Sequence, residues 1–240
     1  MELSQYIRLT IQASTLFIMI PIDVFLVYHV AIHYEFLFNA YFVTMTLYVV
    51  NGTVYFSCTF FGNLLEFADF LRWGHRFYQY FIPLLSVMMA INRFTAIVIM
   101  PGKGFAKWTF FAVNLAFIFF ISLTLLLFNY VGIFGINLSE YETYSKYFDR
   151  VFKAGAYVFS FMLEVLAITY RKLSKGTQQL DDLDRKLLIQ NFYSTIPWLI
   201  NCVSNQLLQT YRNYIVLIVI TNVMSCLGLM APMVYLFCSK

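Results

Sequence analysis

Between Glu35 and Glu66 the chain runs without a single Asp, Glu, Lys or Arg. A soluble fold of ordinary composition cannot keep charges off so long a run, because some face of it must meet water. A membrane can accept it: about 20 mostly apolar residues in a helix cross roughly 30 Å of hydrocarbon. The pattern recurs along the chain, with charges acting as punctuation between apolar runs. Composition agrees, since 61% of the 240 residues are hydrophobic and only 12% charged. The aromatic share, 20% and mostly Phe and Tyr, suits helix ends among headgroups and an interior lined by rings.

Read this way, the gaps between charges predict seven spans, at about 9–32, 37–60, 76–100, 107–131, 150–171, 187–209 and 213–237. The expected fold is all-α, a polytopic membrane protein built as a seven-transmembrane helix bundle in one domain over 1–240. A β-barrel is excluded by run length, since its strands would alternate over about ten residues. Few residues precede the first apolar stretch, so the first helix is expected to act as its own insertion signal. With the N-terminus outside, cytoplasmic segments carry about nine Lys/Arg against roughly seven outside. The sequon Asn137-Leu138-Ser139 lies in the loop after the fourth span, which is outside in the same topology, so Asn137 is a candidate glycosylation site.

Several function classes drop out. The chain has no H-E-x-x-H, no G-x-S-x-G and no phosphate-binding G-x-x-x-x-G-K-[ST]. His29 and His33 are four apart, but two histidines fall short of a catalytic metal shell. Cys58, Cys202, Cys226 and Cys238 show no metal spacing. The net charge of +4 is too scattered for a nucleic-acid footprint. No enzyme, cofactor, metal or nucleic-acid partner is expected.

What chemistry the chain does carry lies in polar residues inside the spans. Taking Arg93 as inward-facing, Ser86 and Gln79 share its face of helix three at 3.6 residues per turn. Helix five places Tyr157, Ser160 and Glu164 at spacings of three and four. Helix six carries a longer stripe of Ser194, Trp198, Asn201, Asn205 and Gln209. Polar groups are costly in hydrocarbon, so each stripe should face the bundle interior, either to join helices or to line a hydrated cavity. Glu164 is the strongest functional candidate, because an ionisable group near mid-membrane calls for a cationic partner or a retained proton. Asp23 is weaker, since Pro21 beside it can open the backbone for local hydrogen bonding. Pro197, beside Trp198, and Pro232 interrupt helices six and seven and mark candidate hinges.

At the inner end of helix three stands Asn92-Arg93-Phe94, followed by Pro101 and Trp108. This resembles the corresponding segment of nematode serpentine chemoreceptors, the class gamma and class V groups. Helix seven adds Ala231-Pro232-Met233-Val234-Tyr235, similar to the Asn-Pro-x-x-Tyr of rhodopsin-like receptors with Ala in place of Asn. The resemblance implies a G protein-coupled receptor for a small molecule, at the plasma or ciliary membrane. It implies that Arg93 meets a G protein when the inner ends of helices three and six part. Asn92 cannot supply the carboxylate that pairs with this arginine elsewhere, so the resting lock must differ. Phe94, Lys103, Arg171 and Lys172 would flank the coupling face, and Pro197, Trp198, Pro232 and Tyr235 would form the conformational switch. The chain departs from rhodopsin-like receptors in lacking a cysteine at the top of helix three and in placing Asn51 where those receptors carry a sodium-binding Asp. It also leaves almost no tail after Phe237.

The leading expectation is thus a chemoreceptor whose ligand sits in the outer half of the bundle among Gln79, Ser86, Tyr157, Ser160, Glu164, Asn201 and Asn205. Membrane lipid and a heterotrimeric G protein are its expected partners. The alternative is a transporter or channel using Glu164 and Asp23, although no internal repeat is visible. A third reading is a degenerate receptor that folds without signalling.

Overall fold

With so few side chains suited to water, the backbone is best satisfied within helices, and nearly all of the described residues are helical. The computed structural model describes residues 3–32, 40–64, 69–99, 108–131, 138–173, 182–211 and 214–238. Among the described residues there are seven α-helices: α1 (Leu3–Ile32), α2 (Ala40–Leu64), α3 (Asp69–Phe94), α4 (Trp108–Val131), α5 (Leu138–Leu173), α6 (Asp182–Thr210) and α7 (Ile215–Cys238). A π-helical turn, Thr95–Ile99, prolongs α3.

Three helices contain stretches long and apolar enough to cross a membrane: Gln5–Ile32 in α1, Phe111–Phe128 in α4 and Tyr147–Tyr170 in α5. The run Ile215–Met230 in α7 is apolar but shorter. Large apolar side chains stand exposed on the outer faces, among them Phe17, Val24, Val113, Phe117 and Phe120. A water-soluble monomer rarely exposes so many large apolar side chains. Long apolar helices with such faces suggest an integral membrane protein.

The helix bounds differ most from the expected spans in α5, which begins at Leu138 rather than about 150. Its first three turns, Leu138–Arg150, are charged and tyrosine-rich, so hydropathy cannot register them as helix although they continue it. The early starts of α3 at Asp69 and α6 at Asp182 have the same cause. α3 runs unbroken through Pro83 and α6 through Pro197.

The helices close a ring in the order α1, α2, α3, α5, α6, α7 and back to α1, with α4 packed outside against α3. Buried hydroxyls on these helices largely bond their own backbone one turn back: Thr15 to Ile11 O at 2.7 Å, Ser122 to Ile118 O at 2.8 Å and Ser160 to Ala156 O at 3.0 Å. Tyr48, Tyr80, Tyr157, Leu85 and Leu229 are enclosed at the centre of the core. Trp198 stands at its middle. The indole lies parallel to the Tyr157 ring at 5.2 Å, its Nε1–H donates to the Tyr48 hydroxyl at 2.6 Å, and Gly228 of α7 passes against its edge.

A Cβ at position 228 would fall 2.6 Å from Trp198 Nε1 and 2.7 Å from Cδ1. The ring has no room to yield, being held by Tyr157 and Tyr48. Gly228→Ala should therefore cost about 1–3 kcal/mol through overpacking, read as a lowered melting temperature in detergent. An unchanged melting temperature would mean that α6 and α7 are farther apart than described.

Candidate functional site

A cavity of about 770 Å³ occupies one end of the bundle. Its walls come from the ends of six helices that the up-and-down topology brings to one level. Arg8 and Gln12 stand near the start of α1, and Tyr55, Thr59 and Asn63 near the end of α2. His75, Gln79 and Pro83 line the first half of α3, and Asp149, Arg150, Lys153 and Tyr157 line α5. Trp198, Asn201, Cys202 and Asn205 come from α6, and Asn222 and Ser225 from α7. The parallel rings of Trp198 and Tyr157 stand at its inner boundary.

One wall is a directed hydrogen-bond chain. The Gln79 amide nitrogen lies 2.6 Å from His75 Nε2. An amide N–H can only donate, so Nε2 accepts and Nδ1 carries the imidazole proton. That proton points to Thr59 Oγ1 at 2.7 Å, and the Thr59 hydroxyl in turn donates to Tyr55 O at 2.8 Å. The Tyr55 ring stacks on the imidazole at 4.9 Å, so His75 is locked in position and tautomer. On the opposite wall α6 is tied to α7. Asn201 Nδ2 donates to Thr221 O and to Ser225 Oγ, both at 2.6 Å, and Asn201 Oδ1 accepts from Asn205 Nδ2 at 2.9 Å. Across α3 and α5, the Tyr80 hydroxyl donates to Asp149 Oδ1.

Of the residues expected to bind a ligand, Gln79, Tyr157, Asn201 and Asn205 do line the cavity. Ser86, Ser160 and Glu164 do not. All three are buried beyond the Tyr157 and Trp198 rings, one to two turns closer to the other end of the bundle. Ser160 spends its hydroxyl on Ala156 O, and Glu164 Oε2 faces Thr195 Oγ1 of α6 at 3.5 Å. Ser194, also on the expected stripe, donates to Gly228 O at 2.8 Å and serves as helix glue. Asp23 lies on α1 outside the cavity wall, with one buried carboxylate oxygen lacking a hydrogen-bond partner among the described residues.

The opposite end holds Asn92 and Arg93, both buried, with Arg93 only 5% exposed. Gln79 and Arg93 are 14 residues apart on one helix, which is about 21 Å. Phe94, the last residue of α3, and Val98 of the π-helical turn pack against Ala167 of α5, beside Ile168. Arg171 and Lys172 fall in the last turn of α5 and Pro232 and Tyr235 in α7, but their side chains lie outside the described residues, as do Asn137 and Lys103 altogether. Among the described residues no group of three His, Cys, Asp or Glu is placed to hold a metal.

Sequence reasoning missed His75, Lys153, Arg8 and Thr59. The signal was present in the first two, since His75 sits one turn from Gln79 and Lys153 one turn from Tyr157, but the charges there were read only as punctuation between spans. Comparison with protein-family models and with curated proteins finds no match for this chain.

Cys202 lines the cavity, whereas Cys58 and Cys226 are buried, the latter with its sulfur 2.7 Å from Thr15 Oγ1. A small thiosulfonate reagent should therefore modify Cys202 about tenfold faster than either, as read by peptide mass mapping of the folded protein. Equal labelling of Cys58 or Cys226 would contradict the cavity's placement.

Proposed function

We propose that the chain is a seven-transmembrane, G protein-coupled chemoreceptor at the plasma or ciliary membrane, with its N-terminus outside. The supporting observation is the separation of two polar centres within one helix bundle. A polar-walled cavity occupies one end, and the buried Asn92-Arg93 pair occupies the other. Between them lies the packed junction of Tyr48, Trp198 and Tyr157, drawn from α2, α6 and α5. A ligand entering the cavity would press on that junction. It would shift the bundle between two arrangements only by as much as its affinities for them differ.

In the arrangement described here Arg93 is enclosed, as suits a resting receptor whose coupling face has yet to open. The π-helical turn that follows it is a departure of a kind often found at functional positions. Glu164 stands off the cavity wall, which weighs against a transporter using it as a coupling group within this space.

The test is ligand-independent G protein activation in a heterologous cell, with the wild type and Arg93→Ala at matched surface expression. Wild-type activity above background is expected to drop to background in the variant, a change of about tenfold or more, as for loss of a charge-assisted contact. Activation that persists undiminished in Arg93→Ala would sink the coupling assignment.

A further inference from the structure

The charges of the cavity wall are unequal. Arg8, Arg150 and Lys153 contribute three cations, while Asp149 is the one carboxylate among the described lining residues. Every other polar side-chain group there is an amide, a hydroxyl, a thiol, the His75 imidazole or the Trp198 indole. Asp149, one turn before Lys153 on α5, accepts the Tyr80 hydroxyl, and the three cations outweigh its charge, so the wall remains net positive.

Lys153 is placed with particular consequence. It lies six residues inside the apolar stretch that begins at Tyr147, which is about 9 Å along the helix. A lysine at such depth usually snorkels outward along the lipid face to reach headgroups. This one lines the cavity instead, as His75 does. One turn farther in along α5, Tyr157 stacks on Trp198, so the same cavity pairs a cation on its wall with an aromatic floor about one turn deeper. A cation held over an apolar surface in a confined polar space is a site for a molecule with an anionic head and an apolar body.

Resting on the reading of this cavity as the ligand site, we infer that it binds small organic carboxylates, with Lys153 as counter-charge to the carboxylate. The ring or chain of the ligand lies on Trp198 and Tyr157, against Ile82 and Pro83. The His75 chain fixes the adjoining wall of α2 and α3, and Arg150 and Arg8 add to the attraction. This reverses the ligand charge that Glu164 would favour, because Glu164 faces Thr195 rather than the cavity.

The test uses the full chain in nanodiscs of phosphatidylcholine, which adds no net lipid charge. Phenylacetate and octanoate are titrated beside their neutral amides and their amine analogues, and binding is followed by thermal shift and by protection of Cys202 from thiosulfonate. A carboxylate should bind about tenfold more tightly than its amide, and the amine more weakly still. Lys153→Met should abolish the preference and Lys153→Arg should keep it. Equal shifts from carboxylate, amide and amine, or no shift from either carboxylate, overturn the inference. So does a preference that survives Lys153→Met. Should that variant fail to fold, the charge preference of the wild type with the Lys153→Arg result still decides. The readout is binding, so it separates from signalling. A chain that selects carboxylates but never activates a G protein sinks the receptor reading alone. One that signals through Arg93 without charge preference sinks only this inference.

Discussion

The indole of Trp198 holds four helices in register. Its face lies on Tyr157 of α5, its N–H is given to Tyr48 of α2, and its edge is met by Gly228 of α7. In hydrocarbon there is little hydrophobic drive between helices, because lipid tails are as apolar as leucine. Association must come from close packing and from polar groups that would otherwise go unsatisfied. Trp198 supplies both at one point, and Gly228 is what lets α7 approach it. The cavity exists on one side of this junction because the side chains beyond it become long and polar and no longer interdigitate. The opposite side is packed down to Arg93.

The same economy decides which polar residues remain available to a ligand. Ser160, Thr15, Thr53 and Ser122 direct their hydroxyls to their own helices, and Asn201 commits both amide protons to α7. These are polar residues by type and structural members by position. The side chains that line the open space beside them are mostly charged or long, among them Lys153, Arg8 and Gln206. Polar character inside a membrane helix thus has two uses, and the direction of a hydroxyl or amide, rather than its presence, separates them.

This explains what the sequence could and could not disclose. Helix count followed from charge punctuation, because the uncharged runs are real segments of helix. Helical phase brought Tyr157, Trp198, Asn201 and Asn205 together, since a 3.6-residue period is rigid over two or three turns. Depth was harder. Phase alone cannot tell Ser86, on the packed side of the junction, from Gln79, on the open side. The rule that found the spans also concealed the cations of the site. A charge read only as punctuation is not read as a site residue, and Lys153, inside the expected span 150–171, lines the cavity. The helical turns before it, Leu138–Arg150, were invisible for the related reason that charge hides helix from hydropathy.

α5 is then the element that joins the two ends. It carries Lys153 and Tyr157 at the cavity, Glu164 beneath the junction, and Ala167 against Phe94 and Val98 beside Arg93. From Lys153 to Ala167 is 14 residues, about 21 Å of continuous helix. A helix of that length moves as a rod, so a shift at Lys153 or Tyr157 reaches Ala167 with little loss. What it meets there is softer. The π-helical turn Thr95–Ile99 has looser backbone bonding than the α-helix before it and can change its packing at small cost. Displacement of α5 by a ligand would therefore be taken up at that turn, next to Arg93, sooner than in the α3 segment above it. A rigid strut ending on a compliant turn is a physical route by which occupancy of the cavity could bias the far end.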